Sequence, residues 1–210
     1  MKMDQETEFL KGLIELQYGL DVEKKLRKIS RDIPWASNWP EDIASFWNAE
    51  AFMWSHKISK EKRALLQQEL TSLSSGKNVD LGCGAYSYLP SVGFDISEKM
   101  LLLNDNCKEK IVGDLEKGLP FKDYSFNSAT AIFVLNYVRK YSALLKEIKR
   151  VLKPGGVFAA VLSAGEINEW QKQKEVNPFP SGKWLDVLQS AGFTVDFYEK
   201  QGLWFFRCRN

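Results

Sequence analysis

The chain has 210 residues, 44% hydrophobic and 27% charged, enough for one domain, with or without an added lobe, and for a substantial core. Lys and Arg number 29 against 27 Asp and Glu; a net charge of +2 gives no broad field to draw nucleic acid or an anionic membrane. No apolar run approaches the ~18 residues of a membrane span, the polar N-terminus lacks a signal-peptide core, and three cysteines without metal-like spacing argue against a disulfide framework or a Cys-rich zinc site, which makes a cytoplasmic location the expectation.

Up to Ser74-Ser75-Gly76 the chain reads as helical. The spacing of Phe9, Leu10, Leu13, Ile14 and Leu16 predicts a first helix. A second is predicted over 21–31, halted before Pro34. Asn38-Trp39-Pro40-Glu41-Asp42 reads as a helix start, with Pro in the first turn and acidic side chains at the positive dipole end. Ile43, Phe46, Trp47, Ala51 and Trp54 then share one face, and four of the seven tryptophans lie between Trp35 and Trp54. Ser59 is placed to cap a helix carrying Leu65, Leu66 and Leu70.

After Gly76 strands alternate with helices. Strands are predicted at 77–81, 92–95, 110–114 and 125–133, with a helix at 97–104 capped by Ser97. A helix at 141–153 carries Leu144, Leu145, Ile148, Val151 and Leu152 on one face, and Pro154-Gly155-Gly156 is expected to terminate it. The near-continuous apolar run 157–163 suits a strand in the middle of a covered parallel sheet. A helix at 182–191 follows, and strands at 194–198 and 203–207 flank Gly202 as a terminal hairpin. The alternation predicts an α/β doubly wound sheet. The Ser-Gly joint divides the chain into an N-terminal helical lid or extension, 1–75, and an α/β domain, 76–210.

Val79-Asp80-Leu81-Gly82-Cys83-Gly84 sets a glycine-rich turn at the carboxyl end of the first strand, where a ligand can approach the backbone. Asp95 ends the next strand and can accept two hydrogen bonds from ribose hydroxyls; the alternative is a plain helix cap. Asp114, after the third strand, can serve similarly near an adenine amino group. The third glycine of a dinucleotide fingerprint falls on Ser87, and no Gly-Lys-Ser/Thr loop exists. Ten residues between Gly84 and Asp95 leave room for a helix of one or two turns, a poor pyrophosphate site. The expected ligand is a nucleoside without phosphates, not a nicotinamide dinucleotide.

At these residues the chain resembles the class I S-adenosylmethionine-dependent methyltransferases, of the methyltransferase type 11 kind, over about two-thirds of its length. Four blocks in order carry the resemblance: Asp80-Leu81-Gly82-Cys83-Gly84; Gly93-Phe94-Asp95-Ile96-Ser97; Gly113-Asp114 with Leu119-Pro120-Phe121 and Ser125-Phe126; and the helix and turn from Leu145 to Gly156. The resemblance implies a Rossmann-like, seven-stranded, mostly parallel sheet with a C-terminal antiparallel hairpin and an N-terminal helical lobe. It implies S-adenosylmethionine as cofactor, held by a loop of Asp80, Gly82, Cys83 and Gly84. By the same resemblance Asp95 binds the ribose, Ile96 and Met100 flank the adenine, Asp114 and Leu115 face its edge, and the Phe133 carbonyl meets the cofactor's amino group. The loop's usual third glycine is Tyr86 here, and Phe133-Val134-Leu135-Asn136-Tyr137 lacks the His that many relatives carry after strand four.

The implied reaction is methyl transfer to a small-molecule acceptor, with no nucleic-acid or membrane partner. The sequence has no triad, metal set or paired carboxylates, so no catalytic residue is assigned, and rate is expected from positioning and water exclusion. Trp54 is the candidate for closing over the cofactor's methionine end, with a core role as the alternative. Tyr86, Asn136 and Tyr137 are candidate substrate contacts. His56, the only histidine, reads as packed or exposed on the Trp-rich helix rather than as a general base. Asn177-Pro178-Phe179-Pro180 reads as a loop. A non-catalytic S-adenosylmethionine-binding or interaction module is the alternative from a different class.

Overall fold

In the computed structural model, which describes residues 4–53, 57–73, 75–165, 172 and 174–210, the strand-forming runs meet in one sheet. The strands are β1 Asn78–Leu81, β2 Ser91–Asp95, β3 Cys107–Val112, β4 Phe126–Ile132, β5 Leu152–Ser163, β6 Thr194–Lys200 and β7 Leu203–Arg209. Their order is β3-β2-β1-β4-β5-β7-β6. The pairs among β1 to β5 are parallel, and β7 is antiparallel to both β5 and β6. Every residue of β1 and β2 is buried, as strands covered on both faces must be. The expected seven-stranded α/β sheet with its terminal hairpin is the observed one.

The helices among the described residues are α1 Gln5–Gln17, α2 Glu23–Ile29, α3 Ile43–Ala51, α4 Lys60–Leu70, α5 Glu98–Leu103, α6 Tyr141–Val151 and α7 Ser181–Ser190. None is long and apolar enough to cross a membrane. Phe9, Leu13, Leu26, Ile33, Ala36, Trp39 and Ala49 form a cluster of the N-terminal lobe. The helix α4 packs elsewhere: Leu65, Leu66 and Leu70 join Tyr88, Leu89, Val161 and Phe205 against the sheet. By packing, α4 therefore belongs with the sheet, although it precedes the expected division at Ser74-Ser75-Gly76.

Three local expectations are corrected. The helix expected to start at Asn38–Asp42 begins at Ile43, because Asp42 is its cap, accepting from the Ser45 N–H at 2.8 Å. Between Gly84 and Asp95 no helix forms. The buried Asn104 side chain ties that segment instead, donating to Gly84 O (2.9 Å) and accepting from the Ser87 N–H (3.2 Å). Pro154-Gly155-Gly156 does not end a helix before a strand; it lies inside β5 as an irregularity, with Leu152 opposite Phe126 and Val157 opposite Ser128. A Cβ on Gly156 would come within 2.8 Å of Lys153 O, so the backbone crowds there as only glycine allows.

Candidate functional site

The build of the sheet reverses between β1 and β4, and at such a switch point a crevice opens beyond the carboxyl ends of the strands. A cleft of about 500 Å³ lies there, within the usual size of small-ligand sites. The strand ends supply Gly82 and Gly84, Asp95 and Ile96, Gly113 to Leu115, and Ile132 to Val134; α5 adds Met100. The N-terminal lobe adds Glu41, Asp42, Ile43 and Trp47, and the chain after β5 adds Lys174 and Val176.

The turn after β1 depends on glycine. Gly82 has φ +62° and donates its N–H to Phe94 O at 2.7 Å. A Cβ there would lie 2.7 Å from Val134 Cγ2. Phe133 also sits at positive φ, +60°, with its N–H bonded to Val161 O at 2.7 Å. A non-glycine residue held in that region stores strain of about 1–3 kcal/mol and is typical of functional walls.

Asp95 is buried at the end of β2. Its Oδ2 accepts the Gly84 N–H at 2.8 Å and its Oδ1 accepts the Ser97 N–H at 2.8 Å. A carboxylate has about four lone-pair sites, so acceptor capacity for a ribose hydroxyl remains. Burial pushes its pKa up to about 6 against the pull of the N–H groups of Ser97, Gly84 and Ile96. Apolar Ile96, Met100 and Leu115 offer walls for a purine on the same side chains' cleft. The residues thus fit the nucleoside of S-adenosylmethionine. Hydrogen bonds from ribose hydroxyls are stronger to an ionised carboxylate, so protonation of Asp95 would compete with a nucleoside held there. Affinity for S-adenosylhomocysteine is expected to weaken as pH falls through 6, by about tenfold per unit below it. Calorimetry at pH 7.5 and pH 5 reads this, and Asp95→Asn should flatten the profile. A wild-type affinity equal at both pH values counts against the assignment.

Beyond the cleft lies a second cavity of about 540 Å³, and Phe133 and Tyr137 line both. Its other walls include Phe179, Trp184, Trp204, Leu162 and Leu203, with Asn136, Glu175, Lys57, Lys62 and Lys172 as polar groups. Asn136 Nδ2 donates to Glu175 Oε1 at 2.9 Å, and Asn136 O receives the N–H groups of Val176 and Asn177. Asn136 Oδ1 is cut off from solvent with no partner in hydrogen-bond geometry among the described residues. Burial holds the Tyr137 phenol above its ordinary pKa, against the pull of the Asn136 side chain and with help from the carboxylates of Glu175 and Glu50.

Gly82, Gly84, Asp95, Ile96, Met100, Asp114, Leu115 and Phe133 line the first cleft. Asp80 and Cys83 do not; they lie beneath the turn. Asp80 accepts from Ser87 Oγ (2.6 Å) and Thr130 Oγ1 (2.7 Å), and burial pushes its pKa up to about 6. Cys83 packs with Leu101 and Cys107. Asn136 and Tyr137 reach the second cavity. Tyr86 lines neither cavity: with no helix after the turn it faces α4, accepting from Gln67 Nε2 at 2.7 Å and lying 5.0 Å from the Arg63 guanidinium. Trp54 and His56 fall outside the described residues. Trp47 and Glu175 were not among the expected contacts. The tryptophan density of 35–54 signals the first, and nothing in the local pattern signals the second.

Residues 79–160 match a family described as a methyltransferase domain. A demethylmenaquinone methyltransferase of Lactococcus lactis is 29% identical, over 70% of this chain and 76% of that protein. One of Staphylococcus saprophyticus is 32% identical, over 51% of this chain and 53% of that protein, so the chain spans about half of that relative. A solved Thermotoga maritima structure, described as an S-adenosylmethionine-dependent methyltransferase and possible histamine N-methyltransferase, superposes with a TM-score of 0.59 at 21% identity, covering 75% of this chain and 92% of that one. That last likeness is one of fold.

Proposed function

The chain carries a class I S-adenosylmethionine-dependent methyltransferase domain and uses S-adenosylmethionine as its cofactor, and from that premise we propose that it methylates a small, flat aromatic acceptor bearing a hydroxyl or amine, seated in the second cavity. The observation that carries the reading is the shared wall: Phe133 and Tyr137 line both cavities. Bound S-adenosylmethionine supplies a methyl group on a sulfonium, a good leaving group for in-line displacement. The chain's own residues have to bring the acceptor atom to about 3 Å and keep water out. Phe179 and Trp204 suit a flat ring. Glu175 takes the proton the acceptor gives up as its new bond to the methyl carbon forms and the sulfur–carbon bond breaks. The protonated Tyr137 phenol serves as wall and donor, not as base. The curated relatives are named for demethylmenaquinone, and a quinone-type ring is accordingly the first candidate.

Methyl transfer to a reduced naphthoquinone, an aliphatic amine and an aliphatic acid, followed by mass spectrometry, tests this. Turnover is expected with the hydroquinone. Glu175→Gln should lower kcat on the order of 100-fold and leave cofactor affinity unchanged. Transfer to the aliphatic acceptors alone would overturn the aromatic reading, and full kcat in Glu175→Gln would remove the base.

A further inference from the structure

Helix α3 meets the start of α5 through the side-chain amide of Asn48. Asn48 is 5% exposed. Its Oδ1 accepts from Ser97 Oγ at 2.7 Å and from the Lys99 N–H at 3.2 Å, and its Nδ2 donates to Trp35 O at 3.0 Å. Ser97 in turn caps α5 through Met100 N–H (3.0 Å) and donates its N–H to Asp95, whose other oxygen holds Gly84. A continuous chain of hydrogen bonds therefore runs from the lobe's backbone at Trp35 to the carboxylate at the floor of the cleft. The Lys99 ammonium lies 5.2 Å from the Trp35 ring, a second tie along the same line. The residue before Asn48 is Trp47, which lines the cleft and meets Tyr137 edge-to-face at 5.1 Å.

We propose that Asn48 is a positioning residue for cofactor binding: it holds Trp47 over the cleft and, through Ser97, fixes the Asp95 turn, so that seating of the N-terminal lobe and binding of the nucleoside are one event. The two ends of the amide do separate work. The oxygen satisfies two donors at the start of α5, and the amino group is anchored on the lobe. A buried amide hydrogen-bonded through both its oxygen and its nitrogen is held in place, and losing it leaves donors at the start of α5 unpaired. The lobe's apolar cluster, which includes Ala49 of the same helix, is distinct from the clusters on the sheet, so its seating depends on such cross-contacts.

The inference rests on this cleft being the cofactor's, and the experiment separates the two. Asn48→Ala, Asn48→Asp, Trp47→Phe and Asp95→Asn are titrated with S-adenosylhomocysteine by calorimetry and by tryptophan fluorescence, at a temperature where each apo protein is folded. Asn48→Ala is expected to weaken binding on the order of tenfold or more and to lose the part of the fluorescence change that Trp47→Phe also loses. Asn48→Asp keeps the acceptor for Ser97 and Lys99 but loses the donor to Trp35, so it should recover part of the affinity. A merely structural role lowers the melting temperature and leaves affinity and the Trp47 signal intact; that result overturns the proposal. Should Asn48→Ala not fold, wild-type affinity and signal in Asn48→Asp overturn it equally. If Asp95→Asn also binds as the wild type, the cleft assignment falls; if Asp95→Asn binds weakly and the Asn48 variants do not, only the coupling falls.

Discussion

Replacing Asp95 by alanine is expected to weaken S-adenosylmethionine binding on the order of 30- to 1000-fold, the loss of charge-assisted hydrogen bonds worth roughly 2–4 kcal/mol. It should also destabilise the apo protein, because the carboxylate is not held for the ligand alone. It accepts the N–H groups of Gly84 and Ser97, both 2.8 Å away, and alanine leaves these buried donors unpaired. Each costs about 1–3 kcal/mol. Asp95→Asn separates the effects. The amide oxygen can still serve one N–H and carries no charge to desolvate, so stability should change less than affinity. Calorimetric affinity and denaturant midpoints, measured on both variants, give the two quantities. A dissociation constant for Asp95→Asn equal to the wild type would make Asp95 a cap and nothing more.

Deleting residues 202–210 is expected to abolish cooperative folding. The segment is β7, and it is an interior strand, paired with β5 on one side and β6 on the other. Leu203, Phe205, Phe206 and Cys208 are 0–3% exposed. Without them β6 has no partner and β5 becomes a bare edge beside uncovered apolar surface. Phe206→Ala is the graded form. Its ring packs 5.0 Å from Phe197 in the main core, and the substitution should cost about 3–5 kcal/mol. That corresponds to a drop of roughly 6–20 °C in Tm for a chain of this size. Denaturant unfolding of Phe206→Ala and a solubility assay of the deletion are the measurements. A soluble, cooperatively unfolding deletion would contradict the role given to β7.

Local pattern was enough for much of the fold. The period of apolar residues in 141–153, the continuous apolar run of 157–163 and the turn residues around Gly202 each commit a segment to helix, strand or hairpin whatever surrounds it. The Gly82-Cys83-Gly84 turn and the acids at 95 and 114 were equally legible. They sit at strand ends, and in an alternating α/β chain the strand ends converge on one crevice. One local expectation failed where a side chain from another element replaced a short-range rule. The segment from Gly84 to Asp95 was expected to hold a short helix; Asn104 and Ser87 tie it down as irregular chain, and α4, from far earlier in sequence, covers that face of the sheet.

The sequence by itself determined most of the strand and helix content, the α/β architecture and a nucleoside-type ligand, because those follow from periodicity and from backbone chemistry at a glycine turn; the cofactor class came from the resemblance of four ordered blocks to a known family. Only the tertiary structure decided that β7 enters between β5 and β6, that Trp47 lines the cleft, and that Asn136 and Glu175 share a wall. Periodicity fixes which residues lie on one face of a helix or strand, but not the angle at which that face docks or the order in which strands pair. Glu175 and Asn136 are 39 positions apart and Asn48 and Ser97 are 49 apart, so each meeting depends on packing of whole elements and leaves no trace in local spacing.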